Sequence, residues 1–315
     1  MQKRDITAHV AAELVASQFP HWADLAVVPV PLDGWDNTTF RLGHELCVRL
    51  PSADRYVPQI EKEHRWLPIL SRQLPLPIPE PVALGTPGGR FPWPWSVYRW
   101  IEGEPAREDR IADETQFASS LSLFFAALQS IDGSDGPAPG LHNFWRGGLL
   151  ATYDEETRES IDVLGDEIDR DAVTDAWELA LSTGWSRLPV WVHGDVAPSN
   201  LLVADGELRA VIDFGCAAVG DPACDVVIAW TYFDDESREA FRNGLALDAA
   251  TWARGRGWAL WKVVRTLALA RQGGPSADSA ARRSGWRCGA REVLDVVLAD
   301  HSESARSSPR SMRCS

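Results

Sequence analysis

The 315-residue chain is 45% hydrophobic and sets 31 Lys plus Arg against 45 Asp plus Glu, a formal net charge of −14. That length supports a substantial core, more naturally in two lobes than in one. With no apolar run near the ~18 residues of a membrane helix, no signal-like amino terminus and an acidic balance, neither membrane nor nucleic acid is expected as a partner. A cytoplasmic protein, monomer or dimer, is expected.

The charge is unevenly placed. Residues 1–100 hold ten basic and ten acidic residues, so the whole imbalance falls on the remainder. Such a region attracts cationic ligands, although solubility alone accounts for it equally well. Cys47, Cys216, Cys224, Cys288 and Cys314 form no C-x-x-C pair and lack histidines at ligand spacing, which argues against both zinc and a disulfide framework.

Along the chain, residues 6–19 read as an amphipathic helix. The β-like runs LAVVPVPL, TTFRLG and LCVRL follow, punctuated by Gly, Asp and Asn. Residues 56–70 have helical spacing through Ile60, Trp66, Leu67 and Leu70, and Pro68 predicts a kink or an early end. The proline-rich LPLPIPEPVALG is too extended for helix, and FPWPWSVYRWI reads as a strand leading out of this lobe. From Gly103 onward helical periodicity dominates, at 113–131, 150–183 and 237–272. Two short apolar strands, PVWVHGD and LRAVIDFG, flank the Asp205-Gly206 turn. Residues 273–285 read as a loop. The expected division is one lobe over 1–100, a helical lobe over 101–300, and a disordered Ser- and Arg-rich tail over 301–315.

Two stretches carry chemistry. Val192-His193-Gly194-Asp195 is followed by Asn200 five residues after the aspartate, and Ile212-Asp213-Phe214-Gly215 places Asp213 eighteen residues after Asp195. Phosphoryl transfer needs an acceptor hydroxyl held in line with the γ-phosphate and a metal ion to neutralise developing charge. A carboxylate on a tight loop can take the hydroxyl proton, the role expected of Asp195. A second carboxylate and a neutral carbonyl oxygen can hold Mg²⁺, the roles expected of Asp213 and Asn200. His193 is expected to fix the loop by hydrogen bonding.

HGDVAPSN followed by IDFG resembles the catalytic and metal-binding motifs of the aminoglycoside phosphotransferase family, which is related to the protein kinases. The resemblance implies an α+β, protein-kinase-like fold with a small antiparallel-sheet lobe and a larger helical lobe. It also implies ATP (or GTP) and Mg²⁺ as cofactors and a small hydroxylated acceptor, most simply an aminoglycoside-type antibiotic. Gly220-Asp221-Pro222 with Asp225 matches the family's GDP-x-x-D pattern, where Asp225 supports the catalytic loop.

In the first lobe, Gly34, Asn37 and Thr38 lie between two strands, where kinases fold a loop over the phosphates. The strand lysine expected next is replaced by Arg49, which keeps the charge but not the geometry. Glu63 is its expected partner, with Glu61 in reserve. The connector at 96–101, containing Tyr98 and Trp100, is the segment expected against adenine. Arg49 also leaves a catalytically silent kinase-like protein that binds ligand or nucleotide as an alternative. Asp234, Asp235 and Glu236 are candidates for gripping a cationic acceptor, although a charged helix start explains them equally. Trp230, Trp252, Trp258 and Trp261, among fifteen tryptophans, would suit a macrolide or choline if they lined a pocket, and homoserine or a sugar is a further alternative.

Overall fold

The computed structural model of the protein describes residues 2–30, 34 and 36–307. Helix α1 (Ala8–Gln18) is capped by Thr7, whose side chain accepts from Val10 N–H. Strands β1 (Val27–Pro29), β2 (Asn37–Leu42) and β3 (Leu46–Pro51) lead into helix α2 (Val57–Leu70). Strands β4 (Pro81–Gly85) and β5 (Trp95–Arg99) complete an antiparallel sheet of order β1-β2-β3-β5-β4. Pro68 falls in the last turn of α2 and does not end it.

The two-residue period of β3 assigns each face a task. Leu46, Val48 and Leu50 join Phe40, Leu42, Trp95 and Val97 in a core against Leu14 and Val15 of α1. Cys47 and Arg49 face the other way, paired in register with Tyr98 and Ser96 of β5. That face is covered by α2, and Cys47, Tyr98, Leu67 and Leu70 belong to the core of the second lobe. The lobes therefore share packing through α2.

The second lobe begins with β6 (Glu104–Pro105) and helices α3 (Glu114–Ser130), α4 (Asp154–Leu164) and α5 (Arg170–Leu181). Next come β7 (Val190–Val192), β8 (Leu201–Ala204), β9 (Glu207–Val211) and β10 (Ala218–Gly220). Strands β6, β8 and β9 form one small sheet, and β7 pairs with β10. Asp205 and Gly206 both have positive φ, as the tight turn between β8 and β9 requires.

Helices α6 (Ile228–Thr231), α7 (Asp235–Asn243), α8 (Ala249–Arg271), α9 (Ala277–Arg283) and α10 (Ala290–Ser307) close the chain. Helix α8 is buried on most sides. Gly255 and Gly257 allow close approach there, since a Cβ would meet Val226 at 2.2 Å and Leu150 at 2.5 Å. Among the described residues no helix is long and apolar enough to cross a membrane.

Three boundaries differ from the sequence expectation. The segment 150–183 is broken at Gly165, whose φ of +55 ends α4 before Asp169 caps α5. The expected loop at 273–285 contains α9, capped by Ser276. Residues 301–307 continue α10, and 308–315 lie outside the described residues.

Candidate active site

The loop that carries Asp195 leaves β7 at His193. The buried carboxylate of Asp225 accepts from His193 N–H and Gly194 N–H, both at 2.7 Å. His193 Nδ1 accepts from Asp195 N–H at 3.2 Å, so its Nε2 carries the hydrogen donated to Ile212 O at 2.9 Å. The imidazole also packs edge-on against Phe214. Gly194 has φ +83, and a Cβ there would stand 2.4 Å from Cys216 O, so the turn requires glycine. Asp221 caps the turn that carries Asp225 and is itself held by Arg254 at 2.6 Å.

This scaffold presents Asp195 with its side chain 41% exposed. Asn200 Nδ2 donates to Asp195 O at 2.9 Å, which leaves its carbonyl oxygen for another partner. Ile212 N–H donates to Asn200 O at 2.8 Å, and Asp213 follows with φ +67. The hairpin thus returns Asp213 to the neighbourhood of Asp195.

On the sheet side, Arg49 bridges two carboxylates. It reaches Glu63 Oε1 at 3.3 Å and Asp213 Oδ1 at 2.8 Å, while the Tyr98 hydroxyl donates to Glu63. Burial pulls the Arg49 guanidinium down, but Glu63 and Asp213 outweigh it and hold its pKa well above the ordinary value. Burial, then Glu63, pushes the Tyr98 hydroxyl well up. Glu61 is exposed. Tyr98 thus works inside the sheet beneath Arg49, and Trp100 is covered by the Arg41 guanidinium, 4.4 Å from its ring centre. The backbone N–H of Trp100 is committed to Glu45 O at 2.7 Å.

In the loop before β2, Lys3 donates to Gly34 O. Asn37 and Thr38, expected between strands, instead open β2 in register with Pro51 and Leu50; both are buried, and Thr38 Oγ1 has no hydrogen-bond partner among the described residues. Asp36 turns into the cleft, where its carboxylate accepts from Gln59 Nε2 at 3.1 Å. Burial, reinforced by Asp213 and Asp195, raises its pKa from 3.8 to about 6. Residue 35 lies outside the described residues.

Facing Asp195 from α8, Lys262 Nζ stands 3.4 Å from Oδ1. The Arg146 guanidinium lies over the rings of Tyr153, Trp258 and Trp261, at 5.6, 5.2 and 4.6 Å. Partial loss of solvent in the cleft pushes the Asp195 carboxyl up, but Lys262 and Arg146 outweigh it and hold it below the usual range. Neither cation was singled out from the sequence. Lys262 had a signal, because only three of the 31 basic residues are lysines.

The remaining candidates make their contacts elsewhere. Asp234 caps α7 through Ser237, Asp235 pairs with Arg238, and Glu236 is exposed. The four tryptophans are buried, with Trp258 and Trp261 stacked on the protein's own Arg146 and Trp252 under Arg242.

A model of the phosphotransferase enzyme family matches residues 27–258. The chain belongs to that family. Comparison with curated protein sequences gives no match. Among solved structures, this phosphotransferase is similar to an aminoglycoside phosphotransferase bound to GDP and kanamycin: 21% identity, 94% of this chain and 99% of that one, TM-score 0.69. It is also similar to an aminoglycoside phosphotransferase in a streptomycin–ATP complex, at 18% identity over 96% and 97% of the chains with TM-score 0.58. A macrolide 2′-phosphotransferase from Brachybacterium faecium aligns at 21% identity over 91% and 97%, with TM-score 0.57. The α+β kinase-like fold is thereby established, with the antiparallel sheet as the small lobe.

The donor set of this phosphotransferase suits a hard cation. Asn200 offers a neutral oxygen and Asp213 a carboxylate, and among the described residues no cluster of three or more His, Cys, Asp or Glu side chains could hold a metal unaided. Mg²⁺ fits such a sparse set because it takes its other ligands from phosphate and water.

Proposed function

We propose that this phosphotransferase moves the γ-phosphoryl group of ATP, or GTP, to a hydroxyl of a small molecule, with Asp195 as the base. The observation that carries this is the Arg49–Asp213 contact at 2.8 Å. It joins the sheet that would carry the nucleotide to the motif that would carry the metal, beside Asp195. Asn200 and Asp213 would hold Mg²⁺, which when bound supplies positive charge to the phosphate oxygens. Arg49 steadies the phosphates, and Thr38 offers its unpartnered hydroxyl to them.

Asp195, kept ionised by its neighbours, orients the acceptor hydroxyl and takes its proton as the phosphoryl group transfers. Asp225 and His193 position that carboxylate by fixing the loop backbone.

Replacing Asp195 by Ala tests this. Coupled ADP release across a panel of small alcohols should fall by about 10²–10⁴-fold, the usual share of a general base. Mg-ATP affinity by calorimetry should stay unchanged. Full ADP release in the variant would remove Asp195 from the role of base, and failure of the intact protein to bind Mg-ATP would favour a silent relative.

A further inference from the structure

The chain carries a net charge of −14, yet the surroundings of Asp195 toward α8 are cationic. Lysine occurs three times against 28 arginines, and two of the three contact the loops of the site, Lys62 at Gly215 O and Lys262 at Asp195. At position 262 a lysine supplies a compact charge with three rotatable donors, which an arginine fork does not. Asp195 is its only side-chain acceptor among the described residues, and the Lys262 side chain is 20% exposed. Behind it, Arg146 Nε and Nη1 are buried without a hydrogen-bond partner among the described residues.

The nearby carboxylates are already matched. Glu156 is held by Arg265 at 2.5 Å and by Trp261 Nε1 at 2.7 Å. Asp154 is held by Arg158 at 2.8 Å and by Trp177 Nε1 at 2.7 Å. With these pairs set aside, Lys262 and Arg146 have Asp195 as their carboxylate on the α8 side, and the balance on that side is positive; Asp213, across the cleft, is matched by Arg49.

We infer that the acceptor is a small alcohol bearing an acidic group, whose anion binds Lys262 in the field of Arg146 while its hydroxyl rests on Asp195. This rests on the phosphotransferase function proposed above and narrows its substrate. The acceptor oxygen forms a bond to the γ-phosphorus as the bond to the β–γ bridging oxygen breaks; ADP departs and the hydroxyl proton passes to Asp195. A polycation in the same place would set its ammonium groups against Lys262 and Arg146, and beyond the base the carboxylate without a cationic partner among the described residues of the cleft is Asp36, on the sheet side in the loop before β2.

Intrinsic tryptophan fluorescence, through Trp258 and Trp261, reads acceptor binding without requiring turnover. The probes are glycolate, 3-hydroxypropionate and 4-hydroxybutyrate, each with its neutral amide and matched amino alcohol, and kanamycin as the polycation. The acids should bind the intact protein about tenfold more tightly than their amides, the worth of one charge-assisted contact. Lys262→Met should abolish that preference and Lys262→Arg should restore part of it, with far-UV circular dichroism confirming the fold of both.

Equal binding of acids and amides, no binding of the acids, or tighter binding of amino alcohols or kanamycin would each overturn the inference. So would a Lys262→Met variant that keeps the preference and loses only Mg-ATP hydrolysis, which would assign Lys262 to the transferring phosphoryl group. Calorimetry of Mg-ATP is run separately, so loss of nucleotide binding would count against the phosphotransferase reading alone.

Discussion

Asp36 is a carboxylate two residues before Thr38, on the path proposed for the phosphates, and close to Asp213 and Asp195. Its folded pKa of about 6 lies above its usual 3.8, so the folded state binds the proton more tightly than the unfolded chain does. The stability it contributes is complete below about pH 3.8 and is lost as pH rises through about 6. Asp36→Asn should therefore raise the melting temperature at pH 8 and leave it nearly unchanged at pH 4. Thermal melts of both proteins at the two pH values check this, and equal shifts at both would show that the carboxylate is not strained. Because the same substitution removes a negative charge from the phosphate path, it should also tighten Mg-ATP binding by calorimetry.

At the scale of elements, the loop from β7 to β8 is held by one buried acid in the turn after β10. Asp225 satisfies two backbone N–H groups at once, and an amide oxygen could accept both only while its NH₂ lost a partner. Asp225→Asn should cost about 2–4 kcal/mol in urea unfolding, given ~1.5–3 kcal/mol for each hydrogen bond to a charged group. It should lower kcat more than it weakens Mg-ATP binding; unchanged turnover would deny the loop its dependence on this clamp.

Elements of this kind were legible because their signals are local. His193 to Asn200 and Asp213 lie within one strand–loop–hairpin unit, so spacing alone brought them together. Arg146 and Asp36 were not legible, and the rarity of lysine could mark Lys262 but not place it beside Asp195, because α8, the loop after α3 and the loop before β2 meet only through tertiary packing. The break at Gly165 was missed for another reason. Acidic helical periodicity runs through it, and only its left-handed φ interrupts the helix.

In the whole molecule, α2 ties the lobes together, and Lys62 is the polar part of that tie. Its ammonium donates to Gly215 O, two residues after Asp213, at 2.6 Å and lies 3.2 Å from His142 Nδ1 in the other lobe. Burial lowers its pKa from 10.5 to about 8, so the charged form is disfavoured by folding. The unfolded chain then binds more protons between about pH 8 and 10.5, and stability rises with pH across that window. Lys62→Met removes the buried charge but also the bond to Gly215 O, worth ~1.5–3 kcal/mol while the donor is an ammonium and ~1 kcal/mol once it is a neutral amine. At pH 7 the desolvation relief should win and the variant should melt higher; near pH 10, where wild-type Lys62 is already neutral in the folded state, only the lost bond should remain and the gain should vanish. Turnover should fall at both pH values, since the loop bearing Asp213 loses its anchor to α2. Melts and ADP release at pH 7 and pH 10 separate these effects, and a variant that is uniformly less stable would show that the tie holds the lobes by charge rather than against it.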